Sequence, residues 1–185
     1  VQYDGTGAQT LVVGTYNDIT LAGARTGTPT ITLGNGTIGV SGAFNVTYTG
    51  AVSFTNTGST VNFSSASSQT IPSAINFRNI TNTGNGDRVL ASSGTISIAG
   101  ALTPGTGIYT NTGSTVLLNG TSGTTALTLP TVSSGNSFNI LRISASGATY
   151  TLPASASVQN LANTLNMQAG TFVLNPSTNS TIVNT

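Results

Sequence analysis

The sequence predicts an all-β fold, a β-solenoid (parallel β-helix) built from three diverged repeats of about 60 residues. Three observations lead there: phrases that recur along the chain, apolar residues at every second position, and an almost complete absence of charge.

The recurring phrases come first, because a missed repeat misassigns the whole fold. Thr55-Asn56-Thr57-Gly58-Ser59-Thr60-Val61 returns unchanged as Thr110-Asn111-Thr112-Gly113-Ser114-Thr115-Val116, and Ser180-Thr181-Ile182 repeats its end. Gly36-Thr37-Ile38-Gly39-Val40-Ser41-Gly42-Ala43-Phe44 returns as Gly94-Thr95-Ile96-Ser97-Ile98-Ala99-Gly100-Ala101-Leu102. Tyr16-Asn17-Asp18-Ile19-Thr20 returns as Phe77-Arg78-Asn79-Ile80-Thr81 and more faintly from Phe138. Val1-Gln2-Tyr3 matches Val61-Asn62-Phe63, and Gln9-Thr10-Leu11 matches Gln69-Thr70-Ile71. The copies therefore run approximately 1–60, 61–115 and 116–185, with no linker between them, as one repetitive β domain.

Within each copy, Thr30-Ile31-Thr32-Leu33, Thr95-Ile96-Ser97-Ile98 and Leu127-Thr128-Leu129 alternate as half-buried strands do. Asn35-Gly36, Asn85-Gly86, Pro104-Gly105 and Asn119-Gly120 punctuate them as turns. Ala156 to Gln168 imitates a helical spacing through Val158, Leu161 and Leu165, but it aligns with strands elsewhere and strand is expected. Three architectures compete for this pattern: a solenoid of three coils per copy, a β-sandwich whose Asn-Gly pairs are hairpin turns, and three separate domains of marginal size.

Charge decides in favour of the solenoid. Only Asp4, Asp18, Asp87, Arg25, Arg78, Arg88 and Arg142 are charged in 185 residues. In-register coils place equivalent side chains ~4.8 Å apart, where like charges repel by about 0.9 kcal/mol per pair even in bulk water. Neutral Thr, Ser and Asn instead form hydrogen-bonding ladders.

The same composition argues against whole classes of function. With no His, Cys, Lys or Glu, the groups for acid, base, thiol and metal chemistry are nearly all missing, so no catalytic, metal or cofactor-binding residue is expected. No serine has a base to activate it. A net charge of +1 gives no grip on nucleic acid or anionic lipid, and no apolar run approaches the ~20 residues that insert into a bilayer. Disulfides and Lys-to-Asn crosslinks are excluded, so cohesion is non-covalent.

Asp4-Gly5-Thr6-Gly7 hints at a calcium loop, but one carboxylate is too few and turn chemistry explains it. Asp87, Arg88 and Arg78 read as surface pairs, with Arg25 in the equivalent turn of the first copy. Asn-X-Ser/Thr acceptors at Asn35, Asn45, Asn62, Asn79, Asn119 and Asn179 follow from composition alone. Tyr3, Tyr16, Phe63, Phe77 and Phe138 recur at matching positions and are expected in the core. Tyr48, Tyr109 and Tyr150 lack full sets of equivalents and are the candidate surface contacts.

No terminal caps are evident, and joining Thr185 to Val1 of another copy would roughly recreate the junction at Ser59 to Phe63. Together, Val1 to Leu11, Gly14 to Gly23 and Gly36 to Phe44 resemble the repeat region of very long surface and adhesin-like proteins of the Bacteroidota, including those associated with gliding. The resemblance implies an exported β-rich stalk or filament, typically sent out by the type IX secretion route. The expectation is a structural building block of an extracellular filament or adhesin stalk. Its partners would be copies of itself or adjacent repeats, head to tail. The alternative is a carbohydrate- or surface-binding module that meets cell-surface glycans.

Overall fold

Strands this short do not survive alone, and each finds its stabilising neighbour one turn further along the chain. The computed structural model describes residues 1–110, 113–126, 138–151, 158–173 and 181–184. Strands β1 (Gln2–Tyr3), β2 (Gln9–Leu11) and β3 (Gly14–Tyr16) make the first turn. The second holds β4 (Ile19–Leu21), β5 (Thr30–Leu33) and β6 (Gly36–Val40), and the third β7 (Phe44–Val46), β8 (Ser53–Thr55) and β9 (Ser59–Phe63). Next come β10 (Gln69–Ile71), β11 (Ile75–Phe77) and β12 (Asn79–Asn82), then β13 (Arg88–Leu90), β14 (Thr95–Ile98) and β15 (Leu102–Thr103). A sixth triplet, β16 (Tyr109–Thr110), β17 (Thr115–Leu118) and β18 (Gly123–Ala126), precedes the longer β19 (Phe138–Thr151) and β20 (Val158–Val173) and the short β21 (Thr181–Asn184). The result is a β-solenoid of about six turns with no helix among the described residues.

Every ladder among these strands is parallel, which removes the sandwich. The buried apolar residues form one continuous core from Leu11 to Tyr150, which removes the three small domains. Residues 158–168, where the sequence imitates a helix, lie in β20.

The turns build three walls. β1, β4 and β7 share the first, β2, β5 and β8 the second, and β3, β6, β9, β12 and β15 the third. Later strands keep this order, β10, β13 and β16 following on the first wall and β11, β14 and β17 on the second. Turn length varies at the corners: Gln2 pairs with Thr20, 18 residues on, and Thr20 with Asn45, 25 on. Inside, Ile38, Val61, Ile80 and Leu102 stack in register on the third wall, and Ile75, Ile96, Val116 and Leu141 on the second. Outside, the ladders are neutral: Thr37, Thr60 and Asn79 align, and the Thr30 and Ser53 hydroxyls lie 2.9 Å apart. Gly23 and Gly50 show why the corners need glycine. Each has a positive φ (85° and 89°), and a Cβ there would strike the carbonyl oxygen of Asp4 and Arg25 respectively.

The recurring phrases do not stack directly on one another. Gln2-Tyr3 lies in β1 and its match Asn62-Phe63 in β9; Gln9–Leu11 is β2 and Gln69–Ile71 is β10; Tyr16 lies in β3 and Phe77 in β11; Gly36 opens β6 and Thr95 opens β14. Each match falls eight strands on. With three strands to a turn, eight strands stop one short of three full turns, so equivalent phrases sit on neighbouring walls. Phe138 opens β19, also eight strands after β11, yet lies in the same sheet as β11 rather than on a neighbouring wall. There β17 and β18 both pair with the single long strand β19, Thr115 with Ile140 and Gly123 with Ala148.

Candidate functional site

Two features carry the chemistry of this molecule: a pair of buried arginines at the corners, and an interruption of the ladders between the third and fourth turns.

Arg88, the first residue of β13, is fully buried. Its Nη2 donates to the carbonyl oxygens of Phe63 (3.0 Å), Ser65 (3.3 Å) and Gly84 (3.4 Å), and its Nη1 to those of Gly86 (2.6 Å) and Asp87 (2.9 Å). Nε donates to Asn82 Oδ1 (3.1 Å), Asn82 Nδ2 donates to the Tyr109 hydroxyl, and that hydroxyl donates to Pro104 O (3.3 Å). Guanidinium geometry suits this work, since its planar fork satisfies several carbonyls at once. Arg25 does the same one copy earlier: Nη2 donates to Tyr3 O (3.0 Å) and Ala22 O (3.0 Å), and Nη1 to Gly5 O and Gly7 O. Tyr3 and Gly5 are the repeat counterparts of Phe63 and Ser65. The expected surface pairing is therefore corrected. These arginines hold corner carbonyls, and the Asp87 carboxylate instead accepts from Ile108 N (3.2 Å) on the next turn. The calcium-loop hint at Asp4 to Gly7 dissolves for the same reason, because the carbonyls of Gly5 and Gly7 already face the Arg25 guanidinium.

The candidate contacts Tyr48, Tyr109 and Tyr150 divide. Tyr109 and Tyr150 are buried, 3% and 0% exposed, so neither presents a ring to a partner. β16 turns Tyr109 inward and leaves Ile108 outside, the reverse of the polarity a sequence reader assumes. Tyr150 faces inward on β19 with Ala148, its hydroxyl accepting from Gly120 N (3.1 Å). Of the expected core aromatics, Phe63, Phe77 and Phe138 are buried and Tyr3 and Tyr16 are half-buried.

Burial sets the ionisation of these phenols. It pushes Tyr109 well above the usual tyrosine range, against the opposing pull of Arg88 and the Asn82 hydrogen bond, and it raises Tyr150 against the Gly120 amide. The unfolded chain releases these protons near pH 10 while the folded chain keeps them, so stability is full below pH 10 and is lost as pH rises above it. The chain has no His or Cys to titrate between about pH 5 and 9. Urea midpoints are expected to stay level across that range and to fall above pH 10. Tyr109→Phe should reduce the alkaline slope by up to about 1.4 kcal/mol per pH unit; an unchanged slope would contradict the buried network.

Tyr48 remains at the surface, half-buried, beside the interruption. β9 and β12 pair across it on the third wall, but no ladder joins β7 to β10 or β8 to β11. Side chains bridge the gap: Gln69 Nε2 donates to Gly42 O (2.6 Å), the Tyr48 hydroxyl to Ala74 O (2.6 Å), and Asn56 Nδ2 to Asn76 O (2.8 Å). Beneath this seam, Phe44 packs against Phe63 at 6.4 Å and edge-on against Phe77 at 6.3 Å. Above it, on the second wall, a cavity of about 360 Å³ is lined by Tyr48, Val52, Phe54, Ile75, Asn76 and Thr95 among others.

Comparison with known proteins yields no matching family model, no matching curated protein and no matching solved structure. Among the described residues no three acidic side chains gather into a cluster that could hold a metal ion, and no helix is long and apolar enough to cross a membrane. Phe54 and Asn76 are the seam residues that sequence reasoning missed. Phe54 follows Val52 at strand spacing and stands outside the recurring phrases, the property that singled out Tyr48.

Proposed function

We propose that this chain is a structural building block of an extracellular filament or cell-surface adhesin stalk, and that its role is mechanical rather than catalytic. The observation that carries the reading is the parallel, in-register stacking of successive turns with uncharged side chains on the outer ladders. β1, β2 and β3 pair only with β4, β5 and β6 among the described residues. The backbones of Leu11, Tyr3 and Tyr16 face the second turn, where their carbonyls accept from Gly34 N, Ala22 N and Ser41 N. Alternation then turns the amides of Gln2, Thr10 and Thr15 the other way, ready to pair with a further turn of the same polypeptide or of a second copy. Uncharged outer ladders suit such stacking, because each added turn brings no repulsion with it. The compositional resemblance to Bacteroidota surface repeats points the same way and supports an extracellular location.

Negative-stain microscopy and sedimentation test the reading. Fibres of uniform width, lengthening with concentration in purified protein or running long in native material, are the expected result. Thr10→Pro combined with Thr15→Pro removes two outward amides and should shorten them. Particles no longer than one chain, in both purified and native material, would overturn the proposal.

A further inference from the structure

We infer that the seam between the third and fourth turns is a ligand site that binds a neutral glycan through the cavity on the second wall. At the seam the half-buried Tyr48 and Phe54 line an opening of about 360 Å³, within the size range of small-ligand sites. Their neighbours on the rim are hydroxyls and amides, Ser73, Asn76, Thr95 and Ser97, and no charged side chain lines the cavity. A second observation points to a ligand: Asn76 Oδ1 is buried without a hydrogen-bond partner, although Asn76 O is engaged by Asn56. A buried acceptor left unpaired is costly and is relieved by a donor brought in from outside.

The chemistry selects the ligand class. A pyranose ring offers an apolar C–H face to an aromatic side chain and hydroxyl donors around its edge, which matches Tyr48 and Phe54 beside Asn76 Oδ1. An acidic sugar would find no cation here. An extended peptide would find few backbone acceptors to pair with, since the carbonyls of Gly42, Ala74 and Asn76 that face the seam are already taken by Gln69, Tyr48 and Asn56. Tyr48 thus serves twice, its hydroxyl tying the turns together and its ring forming one side of the opening.

The test is a titration of the whole chain with neutral hexasaccharides (xylohexaose, mannohexaose and maltohexaose), with hexagalacturonate as the acidic control, followed by NMR and calorimetry. Saturable binding of a neutral probe with a dissociation constant of about 1 mM or tighter is expected, with shifts confined to amides of residues 48–54, 73–76 and 94–97. Phe54→Ala and Asn76→Ala should each weaken it by about tenfold. Phe54→Leu keeps the apolar volume but removes the ring, so it should weaken binding in a folded protein even if Phe54→Ala does not fold. No saturable binding of any neutral probe, shifts elsewhere on the solenoid, or preference for the acidic control or for a strand-forming peptide would each overturn the inference.

Discussion

Replacing Arg88 with methionine is expected to lower the stability of the chain by roughly 3–5 kcal/mol, the largest loss of any single polar substitution in this fold. The methionine would fill much of the same space, so the loss isolates the hydrogen bonds. Deleting the guanidinium strips the carbonyls of Gly84 and Gly86 of their donor inside the corner, leaves those of Phe63 and Ser65 with only the amides of Thr83, Gly84 and Gly86, and takes from Asn82 the partner that orients it toward Tyr109. Each buried acceptor left unpaired costs about 1–3 kcal/mol, and relaxation at the corner keeps the sum below full additivity. At about 2–4 °C per kcal/mol for a chain of this size, the thermal midpoint should fall by on the order of 10 °C. Arg88→Lys should recover only part of this, since an ammonium is a point donor that cannot reach both sides of the corner. Arg25→Met should cost less than Arg88→Met, because Arg25 contacts fewer oxygens and its Nε already lacks a partner. Scanning calorimetry of the three variants checks the order; equal stability of Arg88→Met and the parent chain would remove the arginine from its place as a structural cation.

The alternation of Thr95-Ile96-Ser97-Ile98 was enough to place Ile96 and Ile98 inside β14, because a pleated strand has only two faces. Shortage of charge was likewise enough to favour stacking over a sandwich. Repetition carried less information than it seemed to. Matching Tyr16 to Phe77 identifies equivalent strands, but only the pairing of β12 with β9 and of β9 with β6 shows that three strands close a turn and that eight separate the copies. Arg88 beside Asp87 looks like an exposed ion pair in one dimension. Its burial follows from the glycines at 84 and 86, which let the corner fold close around a guanidinium, and Gly23 before Arg25 is the same cue. Tyr109 and Tyr150 were misplaced for a related reason: a tyrosine outside a recurring phrase is free to be inside when a neighbouring amide or carbonyl meets its hydroxyl. The seam was illegible altogether, since an absent ladder leaves no pattern in the residues that fail to form it.

Phe63→Ala should split the molecule's unfolding into two steps as well as weaken it. The ring is fully buried and stacks in register between Val40 and Asn82, at the one level where only the third wall carries a backbone ladder from turn three to turn four. Phe44, Phe63 and Phe77 meet there from three different strands, so the aromatic cluster stands in for two missing ladders. Truncating a buried phenylalanine costs about 3–5 kcal/mol through lost burial and the cavity left behind. In a solenoid that energy is felt mainly by the two turns in contact, because stability is close to a sum of nearest-neighbour terms. Turns one to three should then open separately from turns four onward. Ile96→Ala provides the comparison: Ile96 lies between Ile75 and Val116 in continuous ladders, so its loss of about 2–5 kcal/mol should lower a single transition without dividing it. Hydrogen exchange of the Phe63→Ala chain should show the amides of β1–β9 losing protection together and before those of β11–β17. If all of them lose it at one rate, the ladders missing at the seam do not weaken the fold there, and the three walls act as one cooperative body.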